Sequence, residues 1–260
     1  MVYSSAPTEE TRPMNELPPS IDIPEAGQTR AGFLRKAGLG SAALVAGGAL
    51  LATPGAAVAG HGDTIPDVDI LNYALTLEYL EATFYVQALG GKGTTGVPRS
   101  SAEFSRGQIT GSKQFAGFGG RIRSGAYGEL TTIRDHEITH VEFLAGALGG
   151  AAVGPCKFDF SSALGSVRAF LETAQLLENT GVMAYDGAIR YVDAGDNLQA
   201  GAQIATVEAR HAAYLNLING DSPFPTAFDE GKKPSEIFDA AKGFIVSCPP
   251  AVLALFGRLP

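Results

Sequence analysis

Only four histidines occur in this chain, and two of them close a Glu-x-x-His quartet: Glu137-Ile138-Thr139-His140 and Glu208-Ala209-Arg210-His211. On an α-helix, residues three apart share a face, so the Glu and His of each quartet can reach one metal ion or two adjacent ones. Two further glutamates, Glu78 and Glu178, lie on the apolar side of helical segments, each followed seven residues later by a tyrosine, Tyr85 or Tyr185. Seven residues make about two turns, so each Glu and its Tyr also share a face. The order along the chain is a repeat: Glu…Tyr, Glu-x-x-His, Glu…Tyr, Glu-x-x-His. Four carboxylates and two imidazoles turned inward from four helices form a site for two metal ions. Buried carboxylates are costly unless a cation balances them, and four of them neutralise two divalent ions. Carboxylate with imidazole suits Fe, Mn and Zn.

Several neighbouring residues compete for roles. Glu81 stands one turn after Glu78 and is the alternative ligand or a supporting group; the repeated Glu–Tyr spacing favours Glu78. Glu172 is the weaker choice in its segment, because six residues separate it from Glu178 and turn it to another side. Tyr85 and Tyr185 either hydrogen-bond the ligands or pack in the core. Asp135 and Glu142 read as solvated charges or as partners of the ligands. A second motif overlaps the first: His136-Glu137-Ile138-Thr139-His140 matches H-E-x-x-H, in which both histidines bind zinc and the Glu is the general base of a protease. Phe143 stands where the extended form of that motif needs Gly, and the stretch after His140, dominated by Ala, Gly and Leu to Val153, offers no suitably placed third ligand. That reading leaves Glu78, Glu178, Glu208 and His211 unexplained, so His136 is placed outside the ligand set.

Four long segments with helical apolar spacing must carry these residues. The first spans about 67–89, with Asp67 at its start and Gly90-Gly91 at its end; about 22 residues give a rod of about 33 Å. The second spans about 126–148 and stops at Gly149-Gly150, the third about 162–192, and the fourth about 197–218, with Asp196 as its cap and Asn219-Gly220 as its stop. No sustained period-two pattern appears. The expected architecture is all-α: a four-helix bundle over 60–220 with a long Gly/Ser/Thr-rich connection between its first two helices, holding a short hairpin. A C-terminal extension over 221–260 with one short helix near 234–246 is expected to pack on it.

The remaining segment, 1–59, reads as an export leader. A Pro/Ser/Thr/Glu-rich stretch precedes Arg30-Ala31-Gly32-Phe33-Leu34-Arg35-Lys36, then an Ala/Gly/Leu run from 37 to 52, then Ala57-Val58-Ala59. A basic region, an apolar run and a small-x-small site make an export signal rather than a basic amphipathic arm. It resembles a twin-arginine signal in which Ala31 replaces the second Arg. The weak hydropathy and Pro54 argue against a stable membrane anchor. The protein is therefore expected in the periplasm or outside the cell, where Cys156 and Cys248 can pair. A net charge of −8 with no basic stripe argues against nucleic acid as a partner, and 45% hydrophobic residues are ample for a core.

The stretches Leu71 to Tyr85, Glu137 to Leu148, Glu178 to Tyr185 and Glu208 to Tyr214, with Pro223-Phe224-Pro225 and Cys248-Pro249-Pro250, resemble exported ferritin-like proteins related to plant desiccation-related proteins. The resemblance covers roughly 66–250. It implies a ferritin-like fold and Glu78, Glu137, His140, Glu178, Glu208 and His211 as ligands, and little about the reaction. Two Fe would suit ferroxidase or peroxide-reducing chemistry, and two Mn peroxide dismutation, with peroxide or dioxygen as the small partner. A non-catalytic metal-binding stress protein is the alternative. Spherical iron storage fits less well, given the long loop and tail. An oligomer stays open.

Overall fold

A computed structural model describes residues 65–193 and 195–260; the expected leader, 1–59, lies outside them. Four long helices dominate: α1 (Asp67–Leu89), α3 (Gly120–Leu148), α4 (Val167–Ala188) and α5 (Asp196–Asn219), with the short α2 (Arg106–Gly111) between the first two. The tail carries α6 (Pro234–Ala241) and α7 (Pro250–Phe256). Each boundary has a local cause. Asp67 and Asp69 put negative charge in the first turn of α1, where the helix dipole favours it. The Ser166 side chain accepts from the Ala169 amide and starts α4 five residues later than expected. Gly220, at φ +94°, closes α5 with its amide on the Asn216 and Leu217 carbonyls. In that left-handed conformation Gly carries no Cβ penalty.

Helix directions follow from cross-contacts. Asn72, early in α1, bonds the carbonyl of Ala151 and the amide of Val153 just beyond α3, while Tyr127, early in α3, reaches the Leu89 carbonyl; α1 and α3 are antiparallel. Asn219, ending α5, donates to the Leu171 carbonyl near the start of α4, so α4 and α5 are antiparallel too. Tyr85 pairs with Glu178 and Tyr185 with Glu78, which makes α1 and α4 antiparallel. The helices therefore run up, down, down, up, and the connection 149–166 must cross the length of the bundle. One long crossover of this kind marks the ferritin-like bundle topology.

Helix α1 is the central element: every residue from Asn72 to Val86 is buried. A helix with apolar residues all round needs cover on all sides. It packs on α3, α4 and α7, and the hairpin in the α1–α3 connection, bridged at Gly91–Ser100 and Thr94–Val97, lies against Tyr79. Gly96, at φ +86°, allows this close approach, since a Cβ there would sit 2.4 Å from the Tyr79 ring. Two apolar clusters flank the middle of the bundle. One is an aromatic group of Phe84, Phe104, Phe160 and Phe170; the other centres on Leu75, Tyr79, Val141, Leu144 and Ile204.

The tail is more structured than one helix. After α6, strand β2 (Ile245–Ser247) pairs antiparallel with β1 (Lys157–Phe158) of the crossover connection, and a Cys156–Cys248 disulfide joins the same two segments. Helix α6 packs on α4 and α7 on α1, covering the face of the bundle between those helices. Among the described residues, no helix is long and apolar enough to cross a membrane.

Candidate metal centre

Between the two apolar clusters lies a buried polar layer. Glu78, Glu137, Glu178 and Glu208 are each 0% exposed, and Glu81, His140 and His211 are almost as deep. α1 supplies Glu78 and Glu81, α3 Glu137 and His140, α4 Glu178, and α5 Glu208 and His211. Two overlapping sets converge: Glu78, Glu137, His140 and Glu208, and Glu137, Glu178, Glu208 and His211. Within each, one donor atom per residue lies within 4.8 Å of the others. Glu137 and Glu208 belong to both sets. Each of the remaining four residues belongs to one.

The imidazoles sit among the carboxylates. Nδ1 of His140 is 3.2 Å from oxygens of Glu78, Glu137 and Glu208. Nδ1 of His211 is 3.0 Å from Glu137 and 3.1 Å from Glu178. The tyrosines cross over. Tyr85 donates to Glu178 Oε1 at 2.6 Å, and Tyr185 donates to Glu78 Oε1 at 2.5 Å. Each tyrosine therefore holds the glutamate of the opposite helix rather than the one seven residues before it, and leaves that glutamate's Oε2 beside an imidazole.

Protonation reflects the crowding of charge. Burial pushes Glu78 up to about 7, against the pull of His140. Burial and the surrounding carboxylates raise Glu81 and Glu208 far above the ordinary range. Burial would also raise Glu137, but His140 and His211 together hold it well below that range. Burial alone would lower both histidines. Glu137 and Glu178 instead lift His211 to about 11, and Glu78 and Glu137 raise His140 strongly.

Among the described residues, Glu208 Oε2 is buried with no hydrogen-bond partner, while Glu137 Oε1 and Glu208 Oε1 make no well-aligned hydrogen bond and meet only the Nδ1 atoms of His211 and His140, at 3.0 and 3.2 Å. A buried unsatisfied polar atom costs about 1–3 kcal/mol, more when charged. Gly181 lets two of the carboxylates approach α4 closely, because a Cβ there would lie 3.1 Å from Glu208 Oε2 and 3.3 Å from Glu81 Oε1. The donor set, the poorly satisfied oxygens and the missing Cβ at Gly181 fit metal ions. The buried Glu/His cluster is compatible with a metal site.

Other residues singled out by the sequence stand outside it. Glu172 is exposed and pairs with Arg168, Asp135 pairs with Arg134, and Glu142 accepts from Thr94 at the surface. Glu81 is buried beside Glu78 but belongs to neither converging set. His136 does not converge with His140, as a zinc-protease helix requires; its Nδ1 lies 2.9 Å from Nε2 of His211. That contact, and the close approach at Gly181, were not anticipated. The one sequence signal for either was the histidine placed just before Glu137.

Residues 66–221 match the family model described as a ferritin-like domain. Among curated proteins, protein rds1 of Schizosaccharomyces pombe (strain 972 / ATCC 24843) is 28% identical over 113 residues. The aligned stretch is 44% of this chain and spans only 28% of the length of that relative.

Proposed function

The chain belongs to the ferritin-like domain family, and from that premise we propose that it binds a dinuclear Fe or Mn centre and uses it on peroxide or dioxygen outside the cytoplasm. The observation that carries this reading is the pair of four-residue ligand sets that overlap in Glu137 and Glu208. These two glutamates would span both metal positions. Glu78 and His140 would complete one position, and Glu178 and His211 the other. Tyr185 and Tyr85, by bonding Oε1 of Glu78 and Glu178, orient Oε2 of each toward the centre. Bound there, Fe or Mn supplies one-electron redox chemistry toward peroxide or dioxygen. The apolar clusters on either side exclude bulk water, and a groove lined by Thr139, His140, Gln203 and Val207 brings the surface to the edge of His140. The Cys156–Cys248 bond supports an oxidising compartment, as does the leader-like composition of residues 30–59. Protection in oxidative or desiccation stress is the role we assign, on the resemblance of the helices to that group.

Elemental analysis of the full-length protein beside a Glu137→Ala/Glu208→Ala variant tests the centre. We expect about two Fe or Mn per chain, lost in the variant, and peroxide consumption that follows metal content. A second reading, metal held for stability alone, is favoured by the complete burial of all four glutamates. Full occupancy without peroxide or dioxygen turnover would select it.

A further inference from the structure

The two halves of the site follow one pattern with a break in it. The residue just before each Glu-x-x-His quartet occupies equivalent places on α3 and α5: it is His136 before Glu137 and Val207 before Glu208. His136 meets His211 edge to edge, with 5.2 Å between ring centroids and 21° between planes, and its Nδ1 is 2.9 Å from His211 Nε2. Val207 lies beside His140 in the surface groove, and its side chain has no acceptor to offer.

Resting on the dinuclear reading above, we propose that His136 is a positioning residue that makes the two positions unequal, so that divalent metal fills the His211 position before the His140 position. Nδ1 of His211 faces Glu137 and Glu178, so it is the ligating nitrogen and the ring proton resides on Nε2. The Nδ1 lone pair of His136 accepts that proton in a hydrogen bond. His136 is itself exposed, so its Nε2–H can be satisfied by water. A ligand histidine whose second nitrogen donates to a fixed acceptor is locked in one tautomer and ring orientation and is a more basic donor; removing such an acceptor typically weakens metal binding about 10- to 100-fold. His140 lacks this support from Val207, so its position is the weaker of the two.

Titration of the metal-stripped full-length protein with Co(II), followed by visible absorption and calorimetry, tests this. Two resolved steps are expected in the natural protein. In His136→Val, the tighter step weakens about 10- to 100-fold while the weaker one stays, so the two merge. His136→Gln, which restores an acceptor, recovers part of the separation. A purely structural role for His136 would weaken both steps together, and that result, or unchanged binding in His136→Val, overturns the proposal. Absence of any bound metal in the natural protein would overturn the dinuclear reading along with it.

Discussion

Stripping the metal should reverse how stability depends on pH. Glu78 has a folded pKa of about 7 against an ordinary 4.5. A group raised on folding contributes stability that is fully present below the lower value and is lost as pH climbs through the higher one. The difference of about 2.5 units corresponds to about 3 kcal/mol at 1.36 kcal/mol per unit, lost between about pH 4.5 and 7. Glu81 and Glu208, also raised, act in the same direction. His211, raised from 6.5 to about 11, continues the loss at higher pH. Glu137, lowered on folding, has the opposite sign, but its window lies below 4.5. The metal-free protein therefore becomes less stable from pH 5 to 7, by a sizeable part of the ~5–15 kcal/mol typical of a domain. Metal binding must displace those protons, so affinity rises with pH, and saturating metal adds about 2.7 kcal/mol at a hundred times Kd. Urea unfolding from pH 5 to 8, with chelator and with Mn(II), should give curves that diverge as pH rises. Glu78→Gln should flatten the metal-free curve. Parallel curves, or a metal-free protein that gains stability toward pH 7, would refute the reasoning.

Other perturbations isolate single contacts. Tyr185→Phe removes a buried bond to a carboxylate and should cost about 1–3 kcal/mol while weakening metal binding, read by urea unfolding and metal titration; Tyr85→Phe should do the same through Glu178. Gly181→Ala places a methyl 3.1 Å from Glu208 Oε2; circular dichroism should show the helices intact, and metal titration an affinity reduced about tenfold. Replacing Cys156 and Cys248 together by Ser opens a link between residues 92 apart. That should cost about 2–4 kcal/mol in thermal or urea unfolding and leave metal stoichiometry as it was.

The residues of the cluster are legible from spacing, because a Glu-x-x-His quartet has one available geometry on a helix and the chain contains two. Their partners are not. Spacing put Tyr85 on the face of Glu78, which is correct, yet the hydroxyl reaches Glu178; sequence fixes a face but not which helix lies across from it. Nor could a face separate Glu78 from Glu81, since α1 is buried all round. What distinguishes them is reach: Glu78 lies 3.2 Å from His140, and Glu81 stands outside both sets. The four long helices were visible, with errors at their ends. α3 starts six residues before the apolar period begins, in a stretch of Gly and Arg. Strands of two and three residues carry no readable period, so β1 and β2, and α7 beyond them, could not be seen before the chain was folded.

The exchange of tyrosines between the helix pairs has a consequence for how the molecule comes together. α1 with α3 forms one hairpin and α4 with α5 the other, and each orients the terminal glutamate of its opposite. Both converging sets also draw on Glu137 from one hairpin and Glu208 from the other. Neither hairpin contains a finished half-site, so a chain cut within residues 149–166 should yield two fragments that are each poor chelators. Recombined, they should recover the centre only as they dock, and the ion would then act as a fastener whose grip reports that the two halves have met.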